Sequence, residues 1–168
     1  MCIRDSVQGT AFHFTARVRV GSAPVRPAGE RVPHGTRRLQ VLVAEDNPVN
    51  QLLATRLLQK LGHIVTTASN GREALERLDA LTPDVILMDV QMPEMDGFEA
   101  TAAIRSREVG SGRRTPIIAL TAHALHGYRA ECVRAGMDEY LTKPIALGDL
   151  ARALAAVTCA DADVRRSA

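Results

Sequence analysis

Four apolar runs in this chain of 168 residues lead into side chains that can do chemistry. Residues 39–44 run into Glu45-Asp46, residues 85–88 into Asp89 and residues 117–120 into Thr121, while Tyr140-Leu141 is followed by Lys143-Pro144. If the runs are parallel strands of one open sheet, these residues gather in one place, because the ligand site of such a sheet lies outside the carboxyl ends of its strands. Three carboxylates then meet one lysine. Crowded carboxylates repel and raise one another's pKa unless a cation offsets them, and hard oxygen ligands of this kind suit Mg²⁺. A divalent ion is the economical explanation. Taken singly, the residues have plainer readings: Glu45 and Asp46 favour a helix N-terminus, Thr121 caps a helix, and Lys143 is a solvated side chain. Asp89 resists this treatment, since a carboxylate at the tip of a buried strand needs a partner. The joint occurrence, each residue at a strand end and in consistent order, favours a site.

The elements that must position these groups are legible in the pattern. Residues 39–44, 85–88 and 117–120 are near-continuous apolar runs, as strands covered on both faces must be. Asn47-Pro48 supplies a cap and a proline at the first helical position, Val49, Leu52, Leu53, Leu57 and Leu61 predict one apolar face, and Gly62 stops the helix. Residues 63–68 read as a second strand, and Asn70-Gly71 precedes a helix through Ala74, Leu75 and Leu78. Three further helices are expected at 98–105, 125–135 and 147–157, with Tyr140-Leu141 near the end of a fifth strand. Five βα units between 39 and 157 imply an α/β fold, an open doubly wound parallel sheet wrapped by helices.

Composition narrows the function classes. With 46% apolar and 24% charged residues, the chain reads as one globular domain with appendages. Residues 1–38 hold seven basic and two acidic groups, a charge of +5, whereas residues 39–157 carry −3 and residues 158–168 are balanced. The compact part is therefore acidic, and with 3% aromatics and no Trp it is a poor nucleic-acid binder. Cys2, Cys132 and Cys159 form no CxxC pair, so neither a disulfide framework nor a zinc site is expected. No run reaches the roughly 18 to 20 apolar residues of a membrane span, and residues 1–30 lack the apolar core of a secretory signal. A cytoplasmic location is expected.

Residues 21–38, with three Pro and three Gly, read as a flexible linker. Before it, residues 9–20 alternate Phe12, Phe14, Ala16, Val18 and Val20 against polar partners, a strand that cannot stand alone. Residues 1–6 resemble a translated sequencing adaptor and residues 158–168 a short polar tail. His123 and His126 stand at i, i+3 but lack a third ligand. Met88, Met92 and Met95 read as core and loop filler, Arg113-Arg114 as a solvated pair, and Gly97 as a turn residue after Asp96.

The segments Val41-Leu42-Val43-Ala44-Glu45-Asp46-Asn47, Leu87-Met88-Asp89-Val90-Gln91-Met92-Pro93-Glu94-Met95-Asp96-Gly97, Ile118-Ala119-Leu120-Thr121-Ala122 and Tyr140-Leu141-Thr142-Lys143-Pro144 together resemble the response-regulator receiver domain. More narrowly they resemble receivers fused to the C-terminus of hybrid sensor histidine kinases. The resemblance spans 39–157 and implies the flavodoxin-like (βα)5 sheet of order 2-1-3-4-5. It implies that Asp89 is the phospho-acceptor attacking a phosphohistidine, and that Glu45, Asp46, Asp89 and the backbone carbonyl of Gln91 hold Mg²⁺. Lys143 would pair with a phosphoryl oxygen and Thr121 donate its hydroxyl to another, which is the positioning and charge that phosphoryl transfer requires. It further implies a cis Lys143-Pro144 peptide and a switch aromatic, Tyr140, that turns inward as Thr121 is drawn toward the phosphoryl group; the plainer reading of Tyr140 is a half-buried strand residue. The implied partners are a histidine kinase as phosphodonor and a histidine phosphotransfer protein, in a two-component phosphorelay.

Residues 9–15 resemble the last glycine-rich turn and closing strand of a histidine-kinase ATP-binding domain. The chain thus reads as the tail of a hybrid kinase, without the phosphorylatable histidine region or ATP-binding core, and no kinase activity of its own is expected. Two other classes compete. A metal-dependent aspartyl-phosphate phosphatase needs a second carboxylate two residues after the nucleophile, where Gln91 stands, and a cap insertion for which no residues are available. A receiver-like docking domain that never takes phosphate is opposed by the intact Asp46, Asp89 and Lys143.

Overall fold

The computed structural model describes residues 37–122 and 126–164, with side chains described for 37–122 and 129–158. The expected strand at 9–20, the adaptor-like start, nearly all of the 21–38 linker, and the side chains of His123 and His126 lie outside the described residues. The elements alternate strictly: β1 (Gln40–Ala44), α1 (Pro48–Lys60), β2 (Ile64–Ala68), α2 (Gly71–Ala80), β3 (Val85–Asp89), α3 (Gly97–Glu108), β4 (Ile117–Thr121), α4 (His126–Ala135), β5 (Glu139–Thr142) and α5 (Leu147–Val164). All neighbouring strands pair in parallel, in the order β2-β1-β3-β4-β5.

The period-2 alternation of the strands splits the core into two layers. Val41, Val43, Val85, Leu87, Ile118 and Leu120 pack with Ala54 and Leu58 of α1 and with Leu150 and Leu154 of α5. Leu42, Ala44, Ile86, Met88, Ile117 and Ala119 pack on the other side with Ala74 and Leu75 of α2, Ala100 and Ile104 of α3, and Cys132 of α4. All five residues of β3 and all five of β4 are buried, which is why their sequences read as unbroken apolar runs.

The helix ends follow the sequence signals. Asn47 caps α1, accepting from the Val49 and Asn50 N–H groups, with Pro48 in the first turn. Gly62, at φ +89°, takes the left-handed conformation just past the end of α1. Asn70 caps α2, and Asp96 with Glu99 forms a reciprocal capping box on α3.

The face expected on α1 is buried only in part, at Leu57 and Leu61. Val49, Leu52 and Leu53 are 73%, 56% and 40% exposed. The inner stripe is Ala54 and Leu58, flanked by Leu57 and Leu61 and continued toward the N-terminus by Asn50 and Gln51. Five apolar residues on this helix cover a wider arc than the sheet can cover, and the two polar residues took the inner positions because they have partners there. Tyr140-Leu141 occupies β5 one residue short of its end at Thr142. α5 continues to Val164, past the expected stop at 157, because residues 158–164 contain no helix breaker. Arg113 and Arg114 are not a merely solvated pair: Arg113 donates to the Pro83 carbonyl at 2.8 Å and Arg114 to Asp138 at 2.9 Å.

Candidate functional site

Sheet register does the first part of the assembly. Asp89 ends β3 opposite Leu120, Thr121 ends β4 opposite Thr142, and the ladder continues with Val90 N–H on the Leu120 carbonyl and Lys143 N–H on the Thr121 carbonyl. Three strand tips are therefore held level. On the other side β1 is extended by the Glu45 N–H donating to the Ala68 carbonyl at 3.0 Å, after which Asn47 turns the chain into α1. That turn leaves Asp46 exposed at the rim and Glu45 almost fully buried.

The side chains then meet as expected. Lys143 Nζ lies 2.6 Å from Asp89 Oδ2 and 2.7 Å from Glu45 Oε2. Carboxylate oxygens of Glu45, Asp46 and Asp89 lie within 4.8 Å of one another. Asp89 Oδ1 accepts the Gln91 N–H at 3.2 Å. These residues, with Thr121, Ala122, Asn47 and Asn50, line an open cleft of about 290 Å³. The Lys143-Pro144 peptide is cis.

Electrostatics in the cleft are unbalanced. Burial pushes the Asp89 carboxyl above its ordinary range and the Glu45 charge adds to this, while Lys143 and the Gln91 N–H pull the other way without cancelling it. Burial works against the Lys143 charge, but hydrogen bonds and charge attraction from Asp89 and Glu45 outweigh it and hold the ammonium above the ordinary lysine range. Glu45 Oε2 is buried and, among the described residues, has no neutral donor; it faces the Lys143 ammonium at 2.7 Å. Three carboxylates sharing one ammonium, their oxygens within 4.8 Å of one another, form a donor set that fits a hard divalent cation such as Mg²⁺.

Tyr140 is half-buried against the second core layer, and the Arg129 guanidinium of α4 lies 5.9 Å from its ring centre. Two contributors escaped the sequence reading. Asn50 Nδ2 donates to Glu45 Oε1 at 2.9 Å. Gln51 Nε2 donates at 3.2 Å to both the Glu45 and Ala68 carbonyls, tying the ends of β1 and β2. Their signal was available: two adjacent amides stand three and four residues before Ala54 on a helix whose other inner positions are apolar. Gly97 is needed for close approach rather than for a turn, since a Cβ there would lie 2.2 Å from the Asp89 carbonyl oxygen.

Comparisons with known proteins agree with this geometry. A family profile described as "Response regulator receiver domain" matches residues 41–155. Sensor histidine kinase GacS of Pseudomonas protegens is 41% identical over 152 residues, 90% of this chain and 16% of that protein. The receiver domain of a sensor histidine kinase from Pseudomonas aeruginosa, solved with magnesium coordinated in its active-site cleft, is 44% identical; the match covers 71% of this chain and 96% of that one, with a TM-score of 0.64. The receiver domain of the Saccharomyces cerevisiae response regulator Ssk1, crystallised with the histidine phosphotransfer protein Ypd1, is 32% identical, covering 70% of this chain and 87% of that chain, with a TM-score of 0.64. The chain spans less than a fifth of the length of the curated relatives it matches.

Proposed function

The chain belongs to the response-regulator receiver family, and from that premise we propose that Asp89 accepts a phosphoryl group from a phosphohistidine in a hybrid-kinase phosphorelay. The observation that carries this reading is the single ammonium of Lys143 shared between Asp89 and Glu45 at the mouth of an open, acid-lined cleft. An Asp89 carboxylate oxygen attacks phosphorus in line, the new O–P bond forms as the N–P bond to imidazole breaks, and the leaving ring takes up a proton. Lys143, already 2.6 Å from the nucleophile, exchanges its carboxylate partner for a phosphoryl oxygen. Thr121, buried at the tip of β4, offers its hydroxyl to a second oxygen. Glu45, Asp46, Asp89 and the Gln91 carbonyl are the groups that would hold Mg²⁺. When bound, the ion supplies positive charge against the equatorial phosphoryl oxygens.

Turnover is limited to this one aspartate, so the chain acts as a signalling acceptor and not as a metabolic enzyme. Its donors and acceptors are proteins, a histidine kinase and a histidine phosphotransfer domain, in keeping with the receiver–phosphotransfer pairing seen for Ssk1 and Ypd1. Among the described residues no helix is long and apolar enough to cross a membrane. A cytoplasmic setting accords with a donor histidine charged from ATP. The test is acetyl phosphate plus Mg²⁺ followed by intact mass: a phosphoryl increment is expected for the wild-type chain and none for Asp89→Asn. A wild-type chain that stays unmodified would refute the acceptor role and favour docking alone.

A further inference from the structure

We propose that Asn50 is the positioning residue of this site, fixing the Glu45 carboxylate so that one oxygen faces Lys143 and the metal position; the inference rests on the acceptor reading above. Glu45 is 1% exposed and stands at the end of a strand, where an anion must be fully satisfied. A glutamate also has three side-chain torsions to fix, and its freedom is costly to remove one interaction at a time. Two contacts do this. Asn50 Nδ2 donates to Oε1 at 2.9 Å, and Lys143 Nζ sits 2.7 Å from Oε2. The Asn50 amide therefore directs Oε1 away from the ammonium.

Without that amide, Oε1 becomes a buried acceptor with no donor. The cheapest repair is rotation of the carboxylate to place both oxygens on Lys143. Such a rotation removes Oε2 from the face it shares with Asp46 and Asp89, and it competes with Asp89 for the ammonium. Outer partners that orient a ligand in this way commonly account for about tenfold or more in metal affinity. The placement is also local to the helix. Asn47 caps α1, and Asn50, on the same first turn, faces inward, so α1 delivers its amide to β1 without any long-range segment.

The test compares the wild-type chain with Asn50→Leu, which keeps the branched outline and removes the donor. A control, Leu57→Ala, loses packing on the same helix without touching the site. Mg²⁺ affinity is read directly by titration calorimetry, and labelling by acetyl phosphate is followed as a function of Mg²⁺. The expected result is a weakening of Mg²⁺ by about tenfold in Asn50→Leu, seen also as a shift of the labelling midpoint to higher Mg²⁺, and unchanged affinity in Leu57→Ala. Asn50→Leu binding Mg²⁺ as tightly as wild type, while wild type still labels on Asp89, would overturn the inference and leave the acceptor reading standing. An equal loss of affinity in Leu57→Ala would also overturn it, because helix stability and not the amide would then be responsible. A wild-type chain that neither binds Mg²⁺ nor labels would overturn both.

Discussion

Asp89 is held protonated more readily than an ordinary carboxylate, first by burial and then by the neighbouring Glu45 charge. Because its folded pKa lies above the unfolded value of about 3.9, the folded chain binds more protons than the unfolded one between the two values. The stability linked to this group is full below the unfolded pKa and is lost as pH rises through the folded pKa. Metal-free protein is therefore expected to lose stability as pH rises past the ordinary carboxylate range, and Asp89→Asn to remove that loss, melting above wild type near pH 7 and level with it near pH 4. Saturating Mg²⁺ reverses the order, because an ion at about 100 times its Kd stabilises by about 2.7 kcal/mol and the asparagine variant has lost one ligand. Scanning calorimetry across pH, with and without Mg²⁺, checks both signs; a wild type that melts above Asp89→Asn at neutral pH without metal would contradict them. The five residues of the site could be read from sequence because each abuts an apolar run that ends where the sheet ends. Asn50 left a fainter signal, one of two adjacent amides on a helix whose other inner positions are apolar, and three large residues that turn outward mask that face.

At the scale of elements, the junction of β3 and α3 carries the tightest constraint. The Gly97 N–H donates to the Val90 carbonyl at 3.0 Å, and the Asp96 capping box starts α3 directly against the strand tip. A methyl at Gly97 would meet the Asp89 carbonyl oxygen at 2.2 Å and Val90 Cα at 2.9 Å, both backbone atoms that have no rotamer to escape into. Gly97→Ala must therefore move α3 or the tip of β3. The expected cost is about 1–3 kcal/mol in urea unfolding, together with slower acetyl phosphate labelling, since the displaced atom belongs to Asp89, the proposed acceptor. A variant with unchanged stability and rate would show that the junction relaxes freely. Sequence placed this glycine correctly but for a different reason, because close backbone approach leaves no mark in hydrophobic pattern. The same limit explains Arg105 and Asp138. Arg105 joins Glu108, Asp138 and the Gly136 and Thr115 carbonyls, clamping the α4–β5 turn to α3, yet nothing in their spacing announces it. Strand order likewise came from resemblance, while the number and parallel sense of the strands followed from their apolar runs.

For the molecule as a whole, phosphate arriving on a protein histidine demands a docking surface, and small donors demand none. The cleft opens beside α1, whose Asn47 and Asn50 line it. On the outward side of the same turns Val49, Leu52 and Leu53 stay exposed, an apolar cluster that the fold itself does not use. As the proposed donor would approach over this side of the cleft, the cluster is the place to test for its footing. Leu52→Ser is expected to slow transfer from a phosphohistidine donor protein by about tenfold, the effect of an interface residue worth about 1.4 kcal/mol. Labelling by acetyl phosphate should stay unchanged, and so should stability to within about 0.5 kcal/mol, as for ordinary surface positions. Rapid-quench measurement of transfer from a phosphorylated histidine phosphotransfer domain, set beside intact-mass labelling of the same variant, separates the two routes. Equal slowing by both donors would place Leu52 in the chemistry of the cleft, and no slowing by either would move the donor's footing to another face.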